Sequence, residues 1–334
     1  MGKRAEPPVK RSAASRLTDA QAAEIDEQRE QKHSTRRATV AALEDLLYTE
    51  IPVLDQGFIR VVDYFGDDGA VVQAARVSYG KGTKKVSSDR GLIRYLLRHR
   101  HTTPLEMCEI KLHVKLPMFV ARQWIRHRTA NVNEYSARYS VLDHEFYLPE
   151  PDGLAAQSAA NRQGRDENLS PEAAEQALSE ISDLSDAAYA LYQRLLNESQ
   201  DGETIDPGRR GLARELARMV LPVNYYTQWY WKIDLHNLLH FLSLRADPHA
   251  QYEIRAYADV LCDVVAAWVP LVWEAFEDYR LSGAAVSGPG LKVLRGLLDP
   301  AALADEAGLE ALRVECAMSA REFNELIALL RSAS

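Results

Sequence analysis

Polar and apolar side chains alternate without a break over residues 107–116. Cys108, Ile110, Leu112, Val114 and Leu116 fall on one side, and Glu109, Lys111, His113 and Lys115 on the other. A period of two is that of a strand with one buried face. Pro117 stops it and opens a helix over 118–126. β-branched and aromatic residues predict further strands at 58–64 and 225–233, and 138–148 also reads as extended. Helical spacing predicts a short helix at 70–77, followed by a Gly-rich turn at 79–82. Ser87 or Ser88 then caps a helix whose apolar face is Leu92, Ile93, Leu96 and Leu97. Residues 101–106 (HTTPLE) form a loop pinned by Pro104, because a residue before proline is driven out of the helical region. Residues 129–137 are too polar for a core helix and read as a loop.

Composition shifts at Pro149. Residues 151–170 are small and polar. An acidic amphipathic helix follows over 171–199, with Leu178, Ile181, Leu184, Tyr189, Leu191 and Leu195 near one stripe. A basic helix is predicted at 209–220. Asp234 caps a helix over 235–245, and a long helix runs over 249–280 with a bend at Pro270. The fold class is therefore α/β (α+β), a mixed or antiparallel sheet flanked by helices, with a long helix late in the chain. Residues 1–38 have almost no large apolar groups and read as a mobile arm, with a transient helix at 18–31. The main domain is 39–283 with an insertion at about 150–205. Residues 283–290 read as a linker, and 284–334 as an extension with two modest helix patterns.

Charge changes the picture locally. The net charge is -8, yet residues 122–140 (RQWIRHRTANVNEYSARYS) gather Arg122, Arg126, Arg128, Arg138 and His127 around one carboxylate, Glu134. Guanidinium groups repel one another unless an anion sits between them, and they grip phosphate with a rigid fork of donors. The stretch thus points to a phosphorylated small molecule. The alternative is a nucleic-acid-binding module using the same basic loop, which the acidic balance of the whole chain disfavours. Glu134 reads most simply as an ion-pair partner of the arginines, or as an acceptor for a ligand. Arg218 and Arg245 sit near predicted helix ends, where charge–dipole attraction is their plain explanation.

Several chemistries are disfavoured. His236 and His240 have the i,i+4 spacing of many zinc sites, but Asn237 stands where a glutamate would be expected and no third ligand is evident, so no metal is assigned. Ser136 has no histidine and carboxylate set to activate it. No Rossmann or P-loop phosphate motif is present. Three scattered cysteines, Cys108, Cys262 and Cys316, suit a reducing compartment. No long apolar run and no signal-like start appear, so the expected location is cytoplasmic, away from membranes.

The stretch 122–140 resembles the signature of the flavin-dependent thymidylate synthases: Arg126, His127 and Arg128, seven residues, then Ser136. The resemblance continues in HTTPLE at 101–106, HVKLPMFVARQW at 113–124, ARELARMVLP at 213–222 and NLLHFLSLRADPHAQYEIR at 237–255. It implies an enzyme that makes dTMP from dUMP, with 5,10-methylenetetrahydrofolate as carbon donor and FAD reduced by NADPH, and with no cysteine nucleophile. It implies a homotetramer whose sites are shared between subunits, and no nucleic-acid partner. For dUMP it implies Gln123, Trp124, Ile125, Arg126, Glu134, Tyr135, Ser136, Ala137, Arg138, Arg218 and Arg245, with Arg245 catalytic. For FAD it implies His101, Thr103, Arg126, His127, Arg128, Glu134, Asp234, Leu235, His236 and His240. Asp234 and His236 stand where the family often carries Asn and Arg, and His240 where some members carry Asn.

Overall fold

A computed structural model describes residues 19–77, 86–159 and 164–331. The expected turn at 79–82 and the first half of the N-terminal arm lie outside them. The chain divides into two compact units, Met1–Leu281 and Ser282–Ser334.

The first unit runs α1 (Asp19–Glu30), α2 (Ala41–Glu44), β1 (Glu50–Val53), β2 (Gly57–Phe65), α3 (Asp68–Val77), α4 (Val86–Arg98), β3 (Glu109–Pro117), α5 (Met118–Trp124) and β4 (Asn131–Glu134). It continues through β5 (Ala155–Gln157), β6 (Arg165–Asn168), α6 (Pro171–Leu196), α7 (Arg214–Ala217), β7 (Tyr226–Asp234), α8 (Leu235–Arg245), α9 (Tyr252–Trp268) and α10 (Pro270–Phe276). Five strands form an antiparallel sheet in the order β1-β2-β3-β7-β4, and β5 and β6 form a separate hairpin.

The alternation read from the sequence decides which face of β3 is dry. Ile110, Leu112, Val114 and Leu116 are buried together with Ile59 and Val61 of β2 and Trp229 and Trp231 of β7. Helices α5, α8 and α9 close that face with Trp124, Phe241, Leu242, Tyr257 and Leu261. The opposite face is not simply solvated. Arg60 and Lys115 are buried there and paired with Glu50 and Glu145, while His113 meets Gln228 at 2.9 Å.

Pro270 breaks the late helix outright, where the sequence implied only a bend, and a second element repairs the break. Asp68, at the start of α3, accepts from Leu271 N (2.9 Å) and Val272 N (3.0 Å), two donors that the break leaves without helical partners. Trp268 Nε1 donates to Gly66 O nearby at 2.8 Å. A π-helical turn, Glu277–Leu281, follows α10.

Several expectations need correction. Residues 131–134 form an edge strand, not a loop. All four are exposed and polar enough to carry no hydrophobic alternation, and pairing with β7 is what holds them. The predicted helix at 209–220 shrinks to α7 and a 3-10 turn, Arg218–Val220. Ser87 and Ser88 lie inside α4, which is already helical at Val86, so neither caps it. Residues 138–148 are mostly turn, with one bridge from Phe146 to Tyr225. In α6 the buried stripe is Ala174, Ser185, Tyr189, Tyr192 and Leu196, whereas Leu184 is exposed.

Helix α6 packs with Ala137, Leu142, Ala217 and Tyr225 in a second core. Tyr189 donates to Leu142 O at 2.8 Å, and Leu142 N donates to the Tyr192 hydroxyl at 3.2 Å. The insertion therefore braces the back of the loop at 135–142.

Among its described residues the second unit holds four helices, α11 (Gly288–Leu297), α12 (Pro300–Ala304), α13 (Glu306–Glu315) and α14 (Ala320–Arg331), where two were expected. Leu309, Phe323 and Ile327 make its small core. Among the described residues, no helix is long and apolar enough to cross a membrane.

Candidate functional site

One face of α8 carries His236, Leu239, His240 and Ser243, at i, i+3, i+4 and i+7, and this face lines a pocket of about 230 Å³. Asp234 sets where that face begins. Its carboxylate accepts from Asn237 N at 2.9 Å and from Asn237 Nδ2 at 2.6 Å, the cap its position predicted. The facing wall comes from Leu96, Leu97, Arg100, His101, Thr102 and Leu105, and α10 with the turn after it adds Phe276 and Arg280. The HTTPLE loop is held in place by its own backbone. His101 N donates to Leu96 O at 2.9 Å, and Leu105 N to Thr102 O at 2.9 Å. Thr102 lines the pocket, whereas Thr103 is exposed beside it.

Helix α5 ends two residues earlier than predicted, with Ile125 as its C-cap. Its last turn is completed by Arg126 N to Gln123 O (3.4 Å) and His127 N to Trp124 O (3.0 Å), and this launches the basic stretch toward α8. His127 then packs edge-on against Phe241 and lies 6.1 Å, ring centre to ring centre, from His240. Arg245 Nε donates to His127 Nε2 at 3.1 Å. Accepting that bond requires a bare Nε2, so the ring is neutral with its proton on Nδ1. Burial, then the charge of Arg245, then His240, push the His127 pKa down to about 4. Burial also lowers that of Arg245.

The rest of the predicted nucleotide set is a second group. Arg138 Nε lies 3.7 Å from Glu215 on α7, next to the turn that carries Arg218. Ser136 Oγ accepts from Arg138 N at 3.4 Å, and the Tyr135 hydroxyl bonds Ser140. Glu134 takes a hydrogen bond from the Thr227 hydroxyl at 2.8 Å, and among the described residues it pairs with no arginine, contrary to its simplest reading. Trp124, Ala137 and Leu235 are buried in cores, so any ligand contact they make runs through the backbone. Trp124 is enclosed by Trp229, Trp231, Phe241 and Tyr257. Within one chain, none of Arg126, Arg138, Arg218 and Arg245 lines the pocket formed by α4, α8 and α10. Arg126, Arg128, Arg138 and Arg218 are exposed.

The donor set suits a large anionic ligand. Among the described residues Arg126, Arg128 and Arg218 make no ion pair, and the buried Gln123 Oε1 has no hydrogen-bond partner. No three His, Cys, Asp or Glu side chains among the described residues gather as metal ligands. Sequence reasoning missed Arg100, Ser243 and Arg280 as pocket residues. For Ser243 the signal was there, one helical repeat beyond His236 and His240. Arg280 is placed by tertiary packing alone.

An antiparallel α+β fold with a histidine- and arginine-rimmed pocket and a cationic edge suits an anionic ligand. A family model described as thymidylate synthase complementing protein matches residues 60–271. The flavin-dependent thymidylate synthase of Rickettsia conorii is 58% identical, over 88% of this chain and 98% of its own. That of Gluconobacter oxydans is also 58% identical, over 95% and 99%. A solved structure of the UMP/dUMP methylase PolB from Streptomyces cacaoi, bound with 5-Br UMP, aligns with a TM-score of 0.59 and 34% identity over 68% of this chain and 97% of that one. The chain belongs to the flavin-dependent thymidylate synthase family, a family of methyltransferases.

Proposed function

We propose that the protein converts dUMP to dTMP by reductive methylation, with 5,10-methylenetetrahydrofolate as carbon donor, FAD as resident cofactor and NADPH as reductant. The observation that carries this reading is the Arg245–His127 pair, set between the signature loop and the histidine face of α8. Arg245, fixed through Nε by a neutral imidazole, keeps the rest of its guanidinium free to stabilise a uracil that has lost its N3 proton, which makes C5 nucleophilic. Gln123, Arg126, the segment from Glu134 to Arg138, and Arg218 bind the nucleotide. Arg126, Arg138 and Arg218 meet its phosphate, while Trp124, Ile125 and Ala137 contribute backbone.

His101, Thr103, His127, Arg128, Glu134, Asp234, Leu235, His236 and His240 serve the flavin site, Asp234 by holding the start of α8 and Leu235 through its backbone. A flavin held by these residues would supply the hydride chemistry, with NADPH as the source of reducing equivalents. Attack on uracil by Cys108 or Cys262 is disfavoured on physical grounds. Cys108 and Cys262 are buried, and burial pushes the Cys108 thiol up to about 12. In this reading the complete site draws on more than one subunit of a homotetramer, as the family resemblance implies.

The decisive assay is dUMP-dependent oxidation of NADPH with FAD and the folate donor present. A colourless protein that takes up no added FAD, or NADPH consumption that ignores dUMP, overturns the reading. The rival nucleic-acid module predicts instead DNA or RNA affinity that falls steeply with salt.

A further inference from the structure

Two pocket arginines are not explained by the site as described. Arg100 follows the last turn of α4 with φ +58°, in the left-handed region. Its N–H donates to Leu97 O (3.3 Å) and that of His101 to Leu96 O (2.9 Å), the paired bonds of a Schellman helix end. Glycine usually takes this position because a side chain there is strained. The chain instead spends its longest cation on it. Arg280 sits in the π-helical turn after α10, an uncommon backbone state. Both side chains line the same pocket as His101, His236 and His240. Among the described residues neither makes an ion pair or a side-chain hydrogen bond. The neighbouring carboxylates Glu274 and Asp278 are engaged by Arg90 and Arg94. Attraction to a helix C-terminus would explain one such arginine, but not two directed into a shared cavity against their mutual repulsion. Burial and the charge of Arg100 both lower the Arg280 pKa, consistent with two cations and no anion between them.

We propose that Arg100 and Arg280 form an anion clamp that holds a phosphate or carboxylate group entering the pocket of α4, α8 and α10. This rests on the flavin reading for the identity of the ligand. The anion is either the diphosphate of the flavin nucleotide or a carboxylate of the folate co-substrate.

The test uses the full chain and two variants, Arg100→Gly and Arg280→Gln, with calorimetric titration of inorganic diphosphate, FAD and riboflavin. Each variant is expected to bind diphosphate and FAD about tenfold more weakly, the scale of one charge-assisted hydrogen bond, with riboflavin unchanged. Arg100→Gly is also expected to melt no lower than the parent, because glycine relieves the strain, so its loss of affinity cannot come from misfolding. If FAD binding holds while KM for the folate donor rises about tenfold, the anion is the carboxylate and the clamp stands. If riboflavin weakens as much as FAD, or if diphosphate, FAD and folate KM are all unchanged, the clamp is refuted. A parent protein that binds diphosphate but no flavin would overturn the flavin reading alone.

Discussion

Replacing Arg245 with Gln removes a charge and an Nε donor from His127 while keeping a polar side chain of moderate length. His127 has its pKa lowered from 6.5 to about 4, with burial the largest cause and Arg245 the next. Without Arg245 its Coulombic share disappears, while burial and the influence of His240 remain. The imidazole should then titrate above its parental midpoint near 4 but still below 6.5. The measurement is the pH titration of the His127 ring by NMR in both proteins. Turnover should fall together with this change. If Arg245 is the donor that stabilises the ionised uracil, its loss costs about 2.7–4 kcal/mol, or roughly 10²–10³ in kcat, with bound flavin nearly unaltered. An imidazole titrating near 6.5 in the parent refutes the hydrogen-bond geometry. Unchanged kcat in the variant refutes the catalytic role, whatever the NMR shows.

Other outcomes concern stability. Arg165 of the β5–β6 hairpin pairs with Glu253, which is only 4% exposed, so Arg165→Ala leaves a buried carboxylate short of its cation. Because Arg165 is itself two-fifths exposed, the cost should be about 2–3 kcal/mol, below that of a fully buried pair; adding Glu253→Gln should recover much of it in urea melts. Asp68→Ala should cost about 1–2 kcal/mol by uncapping α10, with Asp68→Asn intermediate, as read by thermal unfolding. His113 has its pKa lowered to about 4 by burial and then by Arg60. Between pH 6.5 and 4 only the unfolded chain takes up that proton, so stability should fall by up to about 3 kcal/mol as pH drops through this window and be flat above it. His127 contributes to the same window, so His113→Gln should lose its own share of the slope and keep the rest; a parent-like slope in the variant would refute the assignment.

The alternation at 107–116, the proline boundary at 117, the Asp234 cap and the place of the disturbance at Pro270 were all legible because each depends on local geometry. Strand β4 was not. Asn131, Val132, Asn133 and Glu134 are exposed on an edge, so no burial pattern marks them and only the β7 ladder makes them a strand. The basic helix expected at 209–220 failed for a related reason. Its length depended on a partner face, and only Ala217 of α7 is buried. Within the site, the residue types of the signature were readable, but their division into two groups was not, since that follows from where α6 and α8 hold the two ends of the loop. Trp124 shows the limit most clearly. It sits within the arginine-rich signature stretch, yet its ring belongs to the core.

That ring has an optical consequence. Trp124, Trp229 and Trp231 form one enclosed indole cluster, shielded from solvent quenching and a few residues from His127 and His240. Their ultraviolet emission overlaps the near-ultraviolet absorption of an isoalloxazine. If the flavin takes the pocket as proposed, loading it should therefore dim the protein's own fluorescence, a gauge of cofactor occupancy that needs no label and no turnover.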